Sequence, residues 1–331
     1  MKAHVINRYG DTSVFEIREV PKPALKPGHA LVRVMATSVN PLDIKLRSGL
    51  LPDITPEFPS ILHSDIAGII EEVAPDVTSL QAGDHIFGCA GGVKGEGGAL
   101  AEFMLVDVRL IAKKPASLSM SEAAALPLVS ITAWEALFEK IKLAPGQNIL
   151  IHGGTGGVGH IGIQLAKWAG ANVYATVSSD EKGAIARALG ADEIINYRTE
   201  SVKDYVNRLT NGKGFDVVFD TVGGINIDNS IAAVAQYGDV VSILTLSTHD
   251  LSNLHLKSAN FHAVFMLLPL LYNVQRERHG EILSRISRLV EEGRLQPLIN
   301  PEQFSFDEIG KAHALLESGK ATGKIVITRE H

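Results

Sequence analysis

The period of apolar and polar positions changes twice along the 331-residue chain. Up to about residue 122 the apolar runs are short and bounded by Pro, Gly and Asp. LVRVMATSV (31–39), GIIEEV (68–73) and GDHIFG (83–88) predict strands joined by turns. From Ser119 the texture turns helical, with Ser119 and Glu122 spaced as a capping box ahead of AAALPLVSITAWEALFEKI. Strands and helices then alternate. NILIH, NVYATV, EIIN, DVVFD, DVVSIL and HAVFML predict six short strands; VGHIGIQLAKWAG, DEKGAIARALG, SVKDYVNRL and NIDNSIAAVAQ predict helices among them. That order predicts stacked βαβ units in an α/β fold with a doubly wound parallel sheet. After about 269 the chain is helical again in EILSRISRLVEEG. A second capping box, Ser305 and Glu308, opens SFDEIGKAHALLESG, and KIVIT (324–328) predicts a closing strand.

The six-stranded sheet is expected to occupy residues 123–268 as one domain. The strand-rich start, 1–122, and the tail, 269–331, are expected to form one further domain together. Composition narrows the function. The chain is 45% hydrophobic and 21% charged, a globular rather than disordered profile. Its longest apolar run, AVFMLLPLLY (263–272), is broken by Pro269 and falls short of the roughly 20 residues of a spanning helix. MKAHVINRYG has no basic stretch ahead of an apolar core, so a cytoplasmic location without a membrane partner is expected. One cysteine, Cys89, excludes an intramolecular disulfide and any multi-thiolate metal site. A net charge of −6 with no Lys/Arg block argues against nucleic acid as a partner.

The chemistry starts at HGGTGGVG (152–159), where Gly154, Gly156 and Gly159 fit G-x-G-x-x-G between an apolar strand and an apolar-periodic helix. In that context the first glycine is expected to make the tight turn. The second admits a pyrophosphate, and the third lets helix pack on strand. Gly156, Gly157, Val158 and Gly159 open the helix, whose N–H groups and partial positive charge suit phosphates. This predicts a dinucleotide site. NVYATV ends at Val177 and is followed by Ser178 and Ser179, with none of the acid that bonds a ribose 2′-OH in NAD sites. Ser178 can donate to a 2′-phosphate, Lys182 can supply charge, and Tyr197 and Arg198 can close over the same corner. NADP(H) is the favoured reading. The alternative is an NAD site in which Asp180 or Glu181 reaches the 2′-OH and Lys182 and Arg198 are surface cations.

With these landmarks the chain resembles the medium-chain dehydrogenase/reductase superfamily, and within it the zinc-free quinone oxidoreductase-like and enone reductase-like branch. The resemblance rests on NPLDIKLRSG (40–49), HSDIAGIIEEV (63–73), the Gly-Asp pair at 83–84, GGTGGVG (153–159), VSSDEK (177–182), ALGADEIINY (188–197), FDTVGG (219–224) and ATGKIVI (321–327). It implies a GroES-like barrel built from both termini around a central Rossmann domain, with the active site in the cleft between them. Zinc-dependent members hold their metal at positions matching Asn40, Ser64 and Leu128, none of which is a good zinc ligand, and only Cys89 falls in the region of the structural zinc. His63 stands where the family has Gly and is read as a lone packed or surface histidine. No zinc is expected.

Without a Lewis acid, reduction of a conjugated acceptor asks less of the protein than alcohol–carbonyl exchange. The resemblance therefore implies NADPH-dependent reduction of a quinone or an α,β-unsaturated carbonyl. It places Asn40 beside the nicotinamide and Asp43 as the nearby acid. Lys45 is either a donor to the oxyanion or ribose, or an ion-pair partner of Asp43. Arg47 is expected to fork to a carboxylate. Thr132, Asp220, Gly223 and Leu244 are implied to line the cofactor groove, with Lys324 neutralising a phosphate or reaching the nicotinamide. A homodimer is implied, with 255–277 shaping pocket and interface. Two alternatives stay open: a zinc-free alcohol or carbonyl dehydrogenase, and an NADP(H)-binding protein with a sensing, structural or RNA-contacting role.

Overall fold

A computed structural model of the protein describes residues 1–329; Glu330 and His331, at the end of the expected C-terminal segment, lie outside the described residues. Packing divides the chain into two compact units, Met1–Ile131 joined by Leu267 onward, and Thr132–Met266.

In the first unit β1 (Lys2–Ile6) pairs antiparallel with β2 (Phe15–Glu19). The organising strand is β3 (His29–Val39), followed by α1 (Pro41–Ser48), β4 (Asp65–Val73), β5 (His85–Cys89), β6 (Phe103–Asp107) and β7 (Ile111–Lys113). β3 pairs antiparallel with β4 on one side and, along its first half, with β6 on the other. The helical run after Ser119 is one predicted segment but three observed ones: α2 (Met120–Ala124), α3 (Pro127–Trp134) and a wide π-helical turn over Glu135–Lys140. Pro127 causes the first break, because it has no N–H and restrains the residue before it. The capping box forms as predicted: Glu122 N–H donates to Ser119 Oγ at 3.2 Å, and Ser119 N–H to Glu122 Oε2 at 2.8 Å. α2 packs on β3 and β4, so the first unit runs on to Ile131 rather than ending at Glu122.

The second unit alternates β8 (Asn148–His152), α4 (Gly157–Trp168), β9 (Asn172–Val177), α5 (Asp180–Ala188), β10 (Glu193–Asn196), α6 (Val202–Thr210), β11 (Phe215–Asp220), α7 (Asn226–Ala233), β12 (Val234–Ser242), α8 (Ser252–Leu256) and β13 (Asn260–Ala263). All six strands are parallel in the order β10-β9-β8-β11-β12-β13. The order reverses between β8 and β11, which makes their carboxyl ends the crevice where ligands bind in open α/β sheets. Ile149, Leu150, Ile151, Val218 and Phe219 are fully buried, as expected for central parallel strands covered on both faces. The sixth strand is NFHA rather than HAVFML. As the outer strand of the sheet it is half-covered, so its exposed Asn260 and Ala263 hide it from an apolar-run search.

The chain then returns to the first unit through α9 (Leu268–Tyr272), α10 (Glu277–Glu291), β14 (Phe304–Ser305), α11 (Ile309–Glu317) and β15 (Ile325–Thr328). β15 is an inner strand, antiparallel to the second half of β3 with Ile325 opposite Val39, and parallel to β14. That register carries Lys324 to the end of β3. Among the described residues no helix is long and apolar enough to cross a membrane.

Candidate functional site

The turn from β8 into α4 is built by its glycines, with one change of role. The left-handed residue is Gly153, at φ +70°, and not Gly154. Gly154 serves close packing instead: a Cβ there would sit 2.9 Å from Ala175 Cβ. Gly159 does the same more stringently, since its Cβ would fall 2.1 Å from Gly153 O. Gly156 is the N-cap of α4 in extended conformation, and a Cβ there would meet only Gly153 O, at 3.2 Å. One face of the turn is therefore bare backbone. The N–H groups of Gly157, Val158 and Gly159 donate to no acceptor among the described residues, as first-turn amides must unless capped. His152 ends β8, its ring bonded to Thr176 Oγ1 at 3.3 Å. Burial lowers its pKa to about 4, against the opposing pull of Asp220, which keeps the imidazole neutral beside the turn.

Ser178, half-buried, follows the last residue of β9. Ser179 caps α5, accepting the Lys182 N–H at 3.3 Å, which puts half-buried Lys182 in the first turn. Tyr197, 56% exposed, ties its N–H to Val177 O at 3.2 Å, so the ends of β9 and β10 meet at one corner with Arg198 next in the chain. The carboxyl end of β9 carries no acid; Asp180 and Glu181 are exposed on α5.

Asp220, expected to line the cofactor groove, stands at the end of β11. It is fully buried, and its carboxylate accepts from Val222 N–H at 3.0 Å, Gly223 N–H at 3.1 Å, Asn226 Nδ2 at 2.8 Å and Ser242 Oγ at 2.9 Å. Asp220 shapes the β11–α7 turn. Gly223 sits there at φ +74°, so close to Leu244 that a Cβ would be 2.6 Å from its carbonyl oxygen. Leu244 itself is half-buried, and Thr132 is buried within α3.

In the first unit the residues called from sequence converge on one that was missed, Asp65. Its carboxylate accepts from Ser38 Oγ at 2.6 Å, Asn40 Nδ2 at 2.8 Å, Leu128 N–H at 2.8 Å and Lys324 Nζ at 3.4 Å. Lys324 also donates to Asn40 Oδ1 and, at 3.2 Å, to Val39 O. Its ammonium thus has three partners inside the protein, Asp65, Asn40 and Val39. Asn40 caps α1, and Asp43 Oδ2 accepts the Asn40 N–H at 2.7 Å while its Oδ1 has no hydrogen-bond partner. Burial raises the Asp43 pKa to about 7, with the charge of Asp65 adding to it, against the Asn40 N–H and Lys324. Lys45 is half-buried and makes no ion pair with Asp43, which removes that alternative. Arg47 reaches a carboxylate, Glu317, through one nitrogen at 2.5 Å rather than as a fork; its other two nitrogens face Gly10 O and His313.

His63 is not alone. Its Nε2 lies 2.9 Å from His313 Nε2, the rings 5.2 Å apart and stacked, and its Nδ1 lies 3.2 Å from Thr37 Oγ1. Thr37 spends its proton on Asp65 O at 2.6 Å, so His63 Nδ1 must donate to Thr37 and His313 Nε2 to His63. Burial lowers both imidazole pKa values, that of His313 to about 3. His63 adopts φ +74°, a conformation glycine takes without cost, and the bonds on both ring nitrogens hold it there.

Comparison with known proteins agrees with this architecture. Residues 26–116 match the family model for the alcohol dehydrogenase GroES-like domain, and residues 189–327 that for zinc-binding dehydrogenase. The 2-methylene-furan-3-one reductase of Solanum lycopersicum is 35% identical over 99% of this chain and 79% of its own length. The chain belongs to the medium-chain dehydrogenase/reductase superfamily. An alcohol dehydrogenase superfamily protein from Novosphingobium aromaticivorans superimposes on this member with a TM-score of 0.94, at 41% identity over the whole of both chains. The Escherichia coli quinone oxidoreductase complexed with NADPH gives 0.89 at 26% identity, over 99% of this chain and 100% of the other. Where the superfamily's zinc enzymes place ligands, this member has Asn40 and the main chain of Leu128 both donating to Asp65, with Ser64 beside it. Those groups are an amide, a leucine and a hydroxyl, a poor donor set for zinc.

Proposed function

We propose that the protein is an NADP(H)-dependent oxidoreductase that reduces quinones or α,β-unsaturated carbonyls by direct hydride transfer without zinc. The observation that carries the reading is the bare-backbone turn at Gly156, at the switch point of the sheet, beside a β9 end that offers Ser178 and Lys182 and no acid. The furanone reductase and the NADPH-bound quinone oxidoreductase among its relatives support both the cofactor and the acceptor class.

A nicotinamide bound there would supply a hydride to an electron-poor carbon. The protein's part is binding and charge placement. The first-turn amides of α4 would hold the diphosphate, and Ser178, Lys182 and Tyr197 would hold the 2′-phosphate. Lys45, half-buried and carrying no ion pair among the described residues, is the candidate donor to an oxyanion. Asn40 and Asp43 are positioning residues: they cap α1, and Asn40 is fixed at both ends of its amide by Asp65 and Lys324. The reading includes a cytoplasmic location and a homodimer; the outer position of β13, whose far edge pairs with no strand among the described residues, supports the homodimer.

The test is NADPH oxidation across a panel of quinones, enones and saturated aldehydes, repeated with a chelator. Chelator-insensitive turnover of quinones or enones, with saturated aldehydes at least tenfold slower, is the expected result. Comparable turnover of saturated aldehydes would replace the reading with a carbonyl dehydrogenase, and tight NADPH binding without any turnover with a binding protein.

A further inference from the structure

A second group of reactive side chains stands in the unit Thr132–Met266, on the α7 side of the loop after β12. Ser247 Oγ lies 2.6 Å from His249 Nε2, and His249 Nδ1 lies 2.8 Å from Asp228 Oδ1. The carboxylate fixes the direction of both bonds. It can only accept, so Nδ1 carries the proton; the neutral ring then presents a bare Nε2, to which the Ser247 hydroxyl donates. Nucleophile, base and orienting acid are thus in the sequence of contacts that activates a serine.

Exposure supports the same assignment. The His249 side chain is 10% exposed, shielded between loop and helix, whereas Ser247 is exposed and its oxygen open to a reactant. The N–H groups of Leu246, Ser247 and Thr248 donate to no acceptor among the described residues. Leu246 is 79% exposed, Leu251 53%, and Ile225, one turn ahead of Asp228, 79%, so apolar surface borders the trio. A brace between loop and helix needs only the His249–Asp228 bond and gives no reason for a hydroxyl on Nε2.

We propose that Ser247, His249 and Asp228 form a hydrolytic site for small carboxylic esters with short apolar acyl groups. Ser247 Oγ attacks the ester carbonyl carbon while His249 Nε2 takes the hydroxyl proton. The carbon–oxygen bond to the alcohol breaks, the alcohol leaves with that proton, and the acyl group stays on Oγ. Water, deprotonated by the same nitrogen, then releases the carboxylic acid and restores the hydroxyl. No electrons are exchanged, so the chemistry requires no nucleotide.

The experiment uses the full chain with 4-nitrophenyl acetate and butyrate, and a fluorophosphonate probe followed by peptide mass spectrometry. The probe is expected on Ser247, with kcat/KM falling roughly 100-fold or more in Ser247→Ala and His249→Gln. Asp228→Asn is expected to slow labelling at least about tenfold without moving the labelled residue. Wild-type protein unlabelled at Ser247, or Ser247→Ala hydrolysing both esters at the wild-type rate, overturns the proposal. The labelling arm needs no variant, so a folding defect in any of them leaves the question decided.

Discussion

Lys324 Nζ stands 3.4 Å from Asp65 Oδ2, the lysine side chain 3% exposed and the aspartate completely buried. Neither group reaches water, so each carries the other's desolvation cost. The geometry also explains why so many residues of the first unit point the same way: Ser38, Asn40 and Leu128 all donate to Asp65, and Lys324 closes the ring through Asn40.

Removing one partner of such a pair strands a buried charge. Lys324→Met is expected to cost about 3–5 kcal/mol of unfolding free energy in urea denaturation. Lys324→Met combined with Asp65→Asn is expected to recover at least half of that, because the stranded charge is gone. A double variant as unstable as the single one would mean that Lys324 acts through packing alone.

Asp43 supplies a pH signature of definite sign. Burial raises its folded pKa from 3.8 to about 7, so between those values the folded protein binds a proton that the unfolded chain has lost. Stability contributed by that proton is complete below the unfolded value and is lost as pH rises through about 7, at up to about 1.4 kcal/mol per pH unit. Asp43→Asn, a permanently uncharged stand-in, is expected to flatten the loss relative to wild type between about pH 4 and 7. The imidazoles have the opposite sign: His313, lowered from 6.5 to about 3, costs stability as pH falls below 6.5, in both proteins alike. Parallel wild-type and Asp43→Asn profiles in thermal melts would show that Asp43 stays ionised.

On the proposed reading, the glycines of the β8–α4 turn separate binding from folding. Gly156 is extended and a Cβ there meets one oxygen at 3.2 Å, whereas at Gly159 it would be 2.1 Å from Gly153 O. Gly156→Val is therefore expected to keep the melting temperature within a few degrees and weaken NADPH at least about 100-fold. Gly159→Ala is expected to destabilise the fold by about 1–3 kcal/mol even without nucleotide. Isothermal titration and thermal melts read both. Unchanged NADPH affinity in Gly156→Val would place the diphosphate elsewhere.

Sequence reading succeeds wherever the cause is local. The capping boxes at Ser119–Glu122 and Ser305–Glu308 each span four residues, and both form. The parallel strands follow from apolar runs between helix signals, and the glycine turn from its place between two such elements. Gly153 and Gly154 could not be told apart, because the motif counts glycines and does not say which one carries positive φ. Asp65 was passed over for a different reason: its partners come from residues 38, 40, 128 and 324, and only the fold brings them together. Its one local signal is an acid inside the apolar run HSDIAGII. His63 found its partner in His313, 250 residues away, which no local pattern announces.

On the proposed reading, cofactor choice turns on the corner formed by Ser178, Lys182 and Tyr197. A carboxylate introduced at Ser178 would face the 2′-phosphate of NADPH but only a 2′-hydroxyl in NADH, to which it can accept a hydrogen bond. For charges a few ångströms apart near a protein surface the repulsion is about 1–3 kcal/mol after screening, or roughly tenfold to a hundredfold in affinity. Ser178→Asp is accordingly expected to weaken NADPH by that factor and to leave NADH unchanged or tighter, with Lys182→Ala moving NADPH in the same direction by a smaller amount. Fluorescence titration of both nucleotides against wild type and the two variants measures the ratio directly. The ratio is the decisive quantity, because a general disturbance of the β9–α5 turn lowers both affinities together. An equal loss for NADPH and NADH would mean that the 2′-phosphate is read by other residues.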